Sequence, residues 1–462
     1  MENTLPKGWV KTEFANLIAH VIGGDWGKDS DVEDENFVEV YCIRGSEIKN
    51  WNTNFGDTSV VRKIKKSSLD SRRLINGDIL LEISGGGPDQ PVGRVVLITQ
   101  NTFDSLPELP IVCTNFLRLI RPVSQINSNY FCSYLEYFYY SGEVVKYQGG
   151  SNNLRNLKYK EYETIQIPLP PLPEQERIVA KLDKLFAQHE KIKKALDRIP
   201  QLLKAFRQQV LTQAVTGRLT EQWREGKDLE EWDKRLVKEI STKLGSGSTP
   251  RGGSAKYLSE GIPLVRSMNV VFGGLKLDGL AFISEAQAAA LKNVEIHFED
   301  ILLNITGASI GRLCLADKSV TGGRVNQHVF IIRADKEIVY PKFLESYLRS
   351  NLVQSFIEAV KYGAGMEAIS KTQIGNLEIC TPPLQEQHEI VRRVENLFTK
   401  ADTIEARYLT LKAKIDSLPQ SILHKAFKGE LVPQLPTDGD AKDLLAEIMA
   451  LKKEVKGKRS KT

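Results

Sequence analysis

The sequence contains no apolar run long enough to cross a membrane. Of its 462 residues, 41% are hydrophobic and 26% are charged, and no apolar stretch approaches the ~18 residues that a spanning helix needs. The N-terminal segment MENTLPKGWVKTEF lacks the basic and then apolar order of a secretory signal. We therefore predict a cytoplasmic protein that does not enter the membrane. A chain of this length should fold as about two to four domains.

Cysteine and histidine are too scattered to indicate a metal site. The five cysteines lie far apart, mostly in apolar runs such as IVCTNF and LEICTPP, and the six histidines show no HExxH spacing. Reduced, buried thiols are therefore favoured over disulfides or metal ligands. We predict that the chain binds no metal.

Catalytic and nucleotide-binding motifs are absent or incomplete. GGDWGKDS (23–30) resembles a phosphate loop, but an aspartate follows its lysine and no clear strand precedes it. SGGGPDQ (84–90) lacks the third glycine of a dinucleotide-binding turn. Neither Pro-Pro pair belongs to the Asn-Pro-Pro-aromatic motif of amino-methyltransferases, and no Glu-x-Lys follows Pro88-Asp89 as a nuclease would require. We predict that the chain is not an enzyme and has no cofactor of its own.

A surplus of positive charge is confined to one end. The net charge is +5, but the segment 442–462 has seven basic and three acidic residues, which leaves +1 (5 − 4) for the remainder. Charge alone is thus weak support for nucleic-acid binding. We expect a short helix followed by a solvated, mobile basic tail, the latter over Lys452–Thr462.

One long segment occurs twice. PPLPEQERIVAKLDKLF (170–186) returns as PPLQEQHEIVRRVENLF (382–398), displaced by 212 residues (382 − 170). LTQAVTGRL (211–219) returns as LHKAFKGEL (423–431) at the same displacement. Between these ends, apolar residues recur at alternating spacings of four and three, which predicts two long helices packed as an antiparallel coiled coil. We expect Pro200 and Pro419 to bend or end these helices.

The repeated apolar seam comprises Ile178, Leu182, Leu185, Ile192, Leu196, Ile199, Leu203, Phe206 and Val210 in the first copy. Its second copy comprises Ile390, Val394, Leu397, Ile404, Leu411, Ile415, Leu418 and Ile422.

The remaining sequence also repeats, less faithfully. GDILLEISGGG (77–87) parallels EDILLNITGAS (299–309), and TNFLRLIR parallels VNQHVFIIR. We therefore predict two tandem mixed α/β (α+β) domains with an internal pseudo-twofold repeat. The predicted segments are a first domain (1–165), a central helical spacer (166–231), a second domain (232–378), a C-terminal helical spacer (379–435) and a short helix with its basic tail (436–462).

Two alike domains on a helical spacer suit a twofold partner. Duplex DNA presents half-sites about 34 Å apart, one helical turn, and a helix from Ile178 to Val210 would be roughly 50 Å long at about 1.5 Å per residue. The lengths are compatible with reading two half-sites. A non-catalytic scaffold that grips proteins with its paired domains is the alternative that the same pattern allows.

The doubled PPLxEQ blocks, the AVTGRLT and AFKGELV closures, the LPKGWV start and the two DILL segments resemble the DNA-specificity subunit of Type I restriction-modification enzymes, over nearly the whole chain. The resemblance implies a host-defence protein whose two target-recognition domains each read one half of a bipartite, asymmetric DNA sequence with a non-specific spacer. It also implies two adenine-N6 methyltransferase subunits that carry S-adenosylmethionine, and restriction subunits that use ATP and magnesium. The first glycine loop is longer than the second, so the half-sites should differ.

Residues suited to base edges, phosphates or close backbone approach are the candidates for DNA contact. In the first domain these are Arg44, Arg62, Lys63, Lys65, Lys66, Gly85, Gly86, Asn115, Gln148, Gly149, Ser151 and Asn152. In the second they are Ser248, Arg251, Arg266, Asn269, Thr306, Gly307, Asn326, Gln327, Gly363 and Gly365. On the resemblance, exposed residues around Glu174, Gln175, Glu386 and Gln387 are expected to dock the methyltransferase subunits.

Overall fold

A computed structural model of the chain describes residues 5–87, 89–151, 154–249, 257–363 and 368–459. The chain forms two compact units, one of residues 1–195 and 411–462 and the other of residues 196–410. Each unit contains one α/β domain, the N-terminal part of the helical segment that follows it, and the C-terminal part of the other helical segment. The units are therefore not each contiguous along the chain.

The first domain is built of short strands and helices. Its strands are β1 (Val10–Glu13), β2 (Ile18–Gly23), β3 (Phe37–Ile43), β4 (Val60–Lys65), β5 (Ile79–Glu82), β6 (Ser84–Gly85), β7 (Val95–Leu97), β8 (Ile111–Cys113), β9 (Leu117–Pro122), β10 (Gln148–Ser151), β11 (Leu154–Leu157) and β12 (Gln166–Leu169). Its helices are α1 (Trp51–Asn54), α2 (Lys66–Arg72), α3 (Gln100–Ser105), α4 (Ser128–Tyr140) and α5 (Tyr159–Tyr162).

The central helical segment consists of α6 (Leu172–Asp197), α7 (Ile199–Val215) and the short α8 (Glu221–Arg224). In the second domain the strands are β13 (Asp233–Leu236), β14 (Ser241–Ser246), β15 (Ile262–Val265), β16 (Val270–Val271), β17 (Gly274–Leu275), β18 (Ala281–Ile283), β19 (Ile301–Asn304), β20 (Leu313–Leu315), β21 (Arg324–Val325), β22 (Val329–Ala334) and β23 (Glu378–Thr381). The remaining helices are α9 (Glu285–Ala290), α10 (Pro341–Arg349), α11 (Asn351–Gly363), α12 (Lys371–Gly375), α13 (Leu384–Phe427) and α14 (Ala441–Arg459).

Three sheets of the first domain have counterparts of the same topology in the second, while, among the described residues, β10-β11-β6 occurs only in the first domain and β16-β17 only in the second. The order β2-β9-β5-β7 in the first domain corresponds to β14-β22-β19-β20 in the second, and both sheets are antiparallel. The three-stranded sheets β4-β3-β8 and β18-β15-β21 each combine one antiparallel and one parallel pair. The pairs β1-β12 and β13-β23 also correspond. The predicted tandem mixed α/β fold is thereby confirmed.

The repeated DILL segment has its conserved geometry because it carries a buried ion pair. Asp78 receives two hydrogen bonds from Arg121 at 2.7 and 2.8 Å, and Asp300 receives two from Arg333, both at 2.8 Å. Each aspartate is almost fully buried and precedes a central strand whose residues are all buried. A buried carboxylate needs such a bidentate partner, so both domains fix the same strand pair with the same two residue types.

The long helices have the predicted antiparallel arrangement within each unit. In the first unit, His189 Nε2 lies 2.9 Å from the Ile415 carbonyl oxygen. In the second, Arg207 donates to Asp402 at 2.7 Å. Four seam residues that we expected to be buried are 40–49% exposed: Ile192, Phe206, Ile404 and Leu411. Fewer apolar residues are therefore buried between the two helices than the periodicity predicts.

The two prolines act differently. Pro200 is the second residue of α7, directly after the break at Arg198, where a missing backbone N–H costs nothing. Pro419 lies inside α13, which continues to Phe427. The expectation that each proline bends or ends its helix is confirmed for Pro200, and Pro419 does not end its helix.

Among the described residues, no helix has the combination of length and apolar character needed to span a membrane.

The predicted mobile tail is wrong for its first part. Residues 441–459 form α14, and Ile448 is 1% exposed within the core of the first unit. Lys452 Nζ donates to the carbonyl oxygens of Ala15 and Ile18 at 2.7 and 3.0 Å. Ala15 lies within the 3₁₀ turn Phe14–Leu17 and Ile18 directly follows it, and a cation satisfies such carbonyl acceptors well. A basic composition was thus mistaken for a solvated end.

Candidate nucleic-acid interface

Four of the predicted contact residues in the first domain share one concave pocket of about 790 Å³, which Arg44, Gly85, Gly86 and Asn115 help to line. Arg44 follows β3 and Asn115 follows β8. Because β3 and β8 are parallel, their carboxyl ends meet at one edge of the sheet. The pairing of strands therefore brings together residues that lie about seventy positions apart (115 − 44).

Two exposed aromatic side chains lie at this pocket. Trp26 is 38% exposed and Phe116 is 50% exposed, and both contribute to the lining. The guanidinium carbon of Arg62 lies 4.3 Å from the centre of the Trp26 ring, a cation–π contact. Such rings offer flat apolar surface beside polar groups, a combination suited to the faces and edges of nucleobases.

An ion pair that the sequence did not reveal to us lies in the same pocket. Arg94 donates to both carboxylate oxygens of Glu82, at 2.9 and 2.5 Å, and also to the Gly45 carbonyl oxygen at 3.0 Å. Hydrogen bonding to Glu82 raises the pKa of Arg94. The sequence did contain a sign of this ion pair: a carboxylate ends the buried run ILLE, and an arginine lies directly before β7.

The glycines of the first loop are required by its own geometry. Gly86 has φ +71°, and a Cβ there would lie 2.6 Å from the Gln90 carbonyl oxygen. At Gly85 a Cβ would lie 3.0 Å from Glu82 Oε1. The loop can fold this closely only without side chains. The predicted close approach of these glycines to DNA is not tested by these contacts and stays a prediction.

The basic residues of β4 and the start of α2 divide into two pairs. Arg62 forms an ion pair with Asp29, and Lys63 Nζ donates to the Val32 carbonyl oxygen at 2.9 Å. These two side chains hold the loop that precedes β3. Lys65 and Lys66 are exposed, which leaves them as the better candidates for phosphate contacts.

The predicted contacts at 148–152 extend the same region. Gln148, Gly149 and Ser151 lie on β10, which pairs with β11, and β11 pairs with β6 beside Gly85. The Gln148 side chain accepts a hydrogen bond from the Val92 N–H at 3.2 Å. Asn152, like Arg251 and Gly365 in the second domain, lies outside the described residues.

In the second domain the prediction that Asn269 reads a base is wrong. Its side chain is fully buried, accepts from the Arg266 N–H at 3.1 Å and donates to the Lys276 carbonyl oxygen at 2.9 Å. An amide occupied in this way holds a turn and cannot face a groove. Arg266 itself donates to the Gly279 carbonyl oxygen at 2.6 Å and lies 5.3 Å from the Tyr257 ring centre.

A polar cluster of the second domain lies at the ends of β19 and β21. Thr306 Oγ1 is 2.6 Å from Nδ1 of His328, and Gln327 Nε2 is 3.1 Å from the other ring nitrogen. Thr249 hydrogen-bonds to Gln327. Sequence reasoning missed His328. Asn326 is 6% exposed and accepts from the His328 N–H at 3.1 Å, so its side-chain oxygen shapes the loop. Contact of its amide group with a base stays a prediction.

The other predicted residues of this domain are Ser248, Gly307 and Gly363, and none of them belongs to the polar cluster around His328. Ser248 is exposed. Gly307 has φ +70°, and nothing lies within 4 Å of a Cβ built on it. Gly363 is the last residue of α11. The two domains thus present different side chains at equivalent edges of the same fold.

The four EQ residues, around which exposed docking residues were predicted, are themselves fully buried. Glu386 accepts from Thr220 at 2.7 Å, from Trp232 at 3.0 Å and from Arg224. The first copy repeats part of this pattern, with Glu174 accepting from Trp9 at 2.9 Å. A buried, hydrogen-bonded carboxylate offers a partner subunit no surface, so these residues anchor the interior of their own units.

The glutamines of the two motifs attach the helices to the domains. Gln175 accepts from the Asn127 N–H at 2.9 Å and donates to the Pro170 carbonyl oxygen at 2.9 Å. Gln387 accepts from the Tyr340 N–H at 2.6 Å and donates to the Pro382 carbonyl oxygen at 2.7 Å. Each glutamine therefore binds the residue just before a domain helix, α4 or α10.

The cysteines are free thiols: Cys42, Cys113, Cys132 and Cys314 are buried and Cys380 is partly buried. Burial raises the pKa of both Cys42 and Cys314 to about 12, which keeps these thiols protonated and unreactive. Among the described ranges, no three histidine, cysteine, aspartate or glutamate side chains are grouped as metal ligands would be.

Comparison with known proteins identifies a matching family and relatives. The model of the family described as "Type I restriction modification DNA specificity domain" matches residues 6–201 and 229–413. The type I restriction enzyme EcoKI specificity subunit from Escherichia coli (strain K12) is 29% identical over 472 residues, 99% of this chain and 96% of the relative. The EcoBI specificity subunit from Escherichia coli is 33% identical over 331 residues, 67% of this chain and 68% of the relative.

Solved structures share the fold. The HsdS subunit from Thermoanaerobacter tengcongensis has a TM-score of 0.59 at 18% identity, covering 92% of this chain and 98% of that one. A chain from a structure on complex assembly and conformational transition of the type I R-M system has a TM-score of 0.64 at 18% identity, covering 92% of this chain and 99% of the other.

Proposed function

This chain belongs to the type I restriction-modification DNA specificity family, and we propose that it reads a bipartite, asymmetric duplex target with one half-site for each domain and a non-specific spacer between. The proposal rests on one observation: the two domains share the topology of their main sheets, but their loops carry different residues. The first domain offers the pocket with Arg44 and Asn115, whereas the second offers the cluster around His328. Two domains of related fold that present different side chains are suited to two different half-sites.

The chain acts, in this proposal, as the non-catalytic reader of a larger assembly. Two methyltransferase subunits carrying S-adenosylmethionine would methylate adenine N6, and restriction subunits would use ATP and magnesium. The missing Asn-Pro-Pro-aromatic motif supports this division of labour. Because the EQ residues are buried, we propose that docking uses exposed apolar residues of the helices, such as Leu202 and Leu409, which are 60% and 61% exposed.

The test is to map N6-methyladenine in DNA from cells that express the chain with its methyltransferase subunits. We expect one split consensus of two unlike halves at a fixed separation. Cells expressing the methyltransferase alone are the control and should lack this pattern. Methylation without any split consensus would favour the alternative, a protein-interaction scaffold.

Exchange of residues 23–153 for the equivalent part of a relative tests modularity. One half of the consensus should change and the other half should stay the same. The deletion of one heptad from each helical segment should instead alter the separation and leave both halves intact, because the helices are proposed to set the distance between half-sites. A change of bases after the heptad deletion would contradict the spacer role.

A further inference from the structure

We propose that Arg94, positioned by Glu82 in the first-domain pocket, reads one guanine of the half-site bound by that domain. This inference rests on the proposed function and adds to it a reading residue and the base that it selects. Arginine that approaches guanine O6 and N7 with two N–H groups is the commonest specific contact in the major groove. A guanidinium fixed before binding loses less conformational entropy in making that contact.

Arg94 is fixed from several directions. Glu82, which is 2% exposed, binds its Nε and Nη2 atoms, and the Gly45 carbonyl oxygen binds Nη2 as well. The Gln90 side-chain oxygen, in the orientation that satisfies its neighbours, accepts from Nε and Nη2 at 3.1 and 3.3 Å. One edge of the guanidinium is thus fully used by the protein.

The Nη1 atom, which carries two N–H groups, remains available to a ligand. Within the described ranges, the hydrogen bonds of Arg94 involve Nε and Nη2 and leave Nη1 without an acceptor. The arginine side chain is 19% exposed and lines the pocket together with Asn115 and Phe116. A base edge entering between these residues would meet a cation whose plane is already set.

The second domain lacks this device at the same place in its fold. The Glu82 N–H donates to the Arg94 carbonyl oxygen at 2.8 Å, and the Asn304 N–H donates to the Arg312 carbonyl oxygen at 2.8 Å. These backbone bonds make the two residue pairs equivalent. Asn304 is fully buried and its side chain donates to the Ser267 carbonyl oxygen at 2.9 Å, whereas Arg312 is exposed. The proposed reading is therefore specific to the first half-site.

The experiment uses the complex of this chain with its methyltransferase subunits and duplexes of the mapped target. Each guanine of the first half-site is replaced in turn by 7-deazaguanine, which lacks the N7 acceptor but still pairs with cytosine. We expect one replacement to weaken binding of the unmodified complex about 10- to 100-fold. The same scan is repeated on Glu82→Gln/Arg94→Gln, a double variant that leaves no unpaired buried carboxylate, and on Arg94→Lys.

The double variant should bind the natural duplex more weakly and lose its sensitivity to that one replacement, because the two changes remove the same contact. Arg94→Lys keeps a cation that can donate to guanine but lacks the planar guanidinium, so it should bind more weakly and keep only part of the sensitivity. Arg312→Gln, the matched control in the second domain, should keep the wild-type sensitivity. The inference is overturned if no first-half guanine responds in the wild-type complex, if the variants keep the full response, or if they weaken binding to target and scrambled duplexes alike. Failure of the proposed function differs, since no split consensus would then exist.

Discussion

The two EQ motifs should respond unequally to the same substitution, although their sequences match. Glu386 is fully buried and accepts from Thr220, Trp232 and the cation of Arg224. In Glu386→Gln, an amide NH₂ group replaces one acceptor and faces a donor, and the arginine loses its counter-charge. A lost charged hydrogen bond with an unsatisfied buried donor costs about 2–4 kcal/mol. We expect the second unit to lose that amount of stability.

Glu174 occupies the equivalent position with fewer partners. Its Oε2 atom accepts from Trp9 at 2.9 Å, and Gln434 is at 3.5 Å. Its Oε1 atom is buried without a hydrogen-bond partner among the described residues, and burial raises the pKa of this carboxyl. Glu174→Gln removes a charge that burial already disfavours and retains one acceptor. The expected change in the free energy of unfolding is within about 1 kcal/mol.

Thermal unfolding combined with hydrogen exchange measures both effects. A loss of about 3 kcal/mol in a unit of this size lowers the Tm by roughly 6–12 °C. Because a chain of two units need not unfold in one step, exchange of amides in 196–410 assigns the loss to the second unit. Equal destabilisation by both variants, or a larger effect of Glu174→Gln, would refute the reasoning from hydrogen-bond partners.

Three further predictions concern charged side chains that are buried or partly buried. Burial raises the pKa of Glu136 from 4.5 to about 7, so the contribution of this side chain to stability is present below pH ~4.5 and is lost as the pH rises through 7. Glu136→Gln should therefore stabilise the chain by about 1–3 kcal/mol at pH 8 but not at pH 4, as denaturant titrations at both pH values would show. Asp300→Asn should cost about 2–4 kcal/mol in the same assay, because it breaks the bidentate pair with Arg333; no loss would contradict a structural role. Lys452→Met should speed hydrogen exchange in α14, whereas the exposed Lys453→Met should not.

The sequence was sufficient for those features of the fold that repeat. The displacement of 212 residues (382 − 170) and the paired DILL segments predicted two domains of one design, because a hydrophobic pattern specifies which strands are central. Pro200 predicted an interruption of the first long helix, and α7 begins one residue before it, at Ile199. The sequence could not show that Pro419 would be accommodated within α13, because that depends on packing that the local sequence does not encode.

Candidate residues were harder to judge from their type. Asn269 was a candidate for base contact because an asparagine amide suits base edges, but the same amide also suits a turn, and its complete burial decides for the turn. Glu174 lies in the first turn of α6, where a carboxylate favours the helix N-terminus. Its donor Trp9 lies 165 residues away, a separation that no local pattern reveals. The ion pair of Arg94 with Glu82 spans only twelve residues (94 − 82) and was missed although a carboxylate at the end of a buried run indicates a nearby partner.

The hydrogen bonds between the long helices and the domains explain how the domain sequences can change while the attachment to the helices is kept. Gln175 and Gln387 each bind a backbone N–H, that of Asn127 in one domain and that of Tyr340 in the other. A backbone donor is the same whatever side chain the position carries, and the two copies do carry unrelated side chains there. Gln387 also donates to the Ile338 carbonyl oxygen at 3.0 Å, another backbone group of its domain, and the acceptors Pro170 and Pro382 belong to the repeated segment itself. The contact therefore constrains where a domain helix begins and leaves the loops that would face DNA free to change.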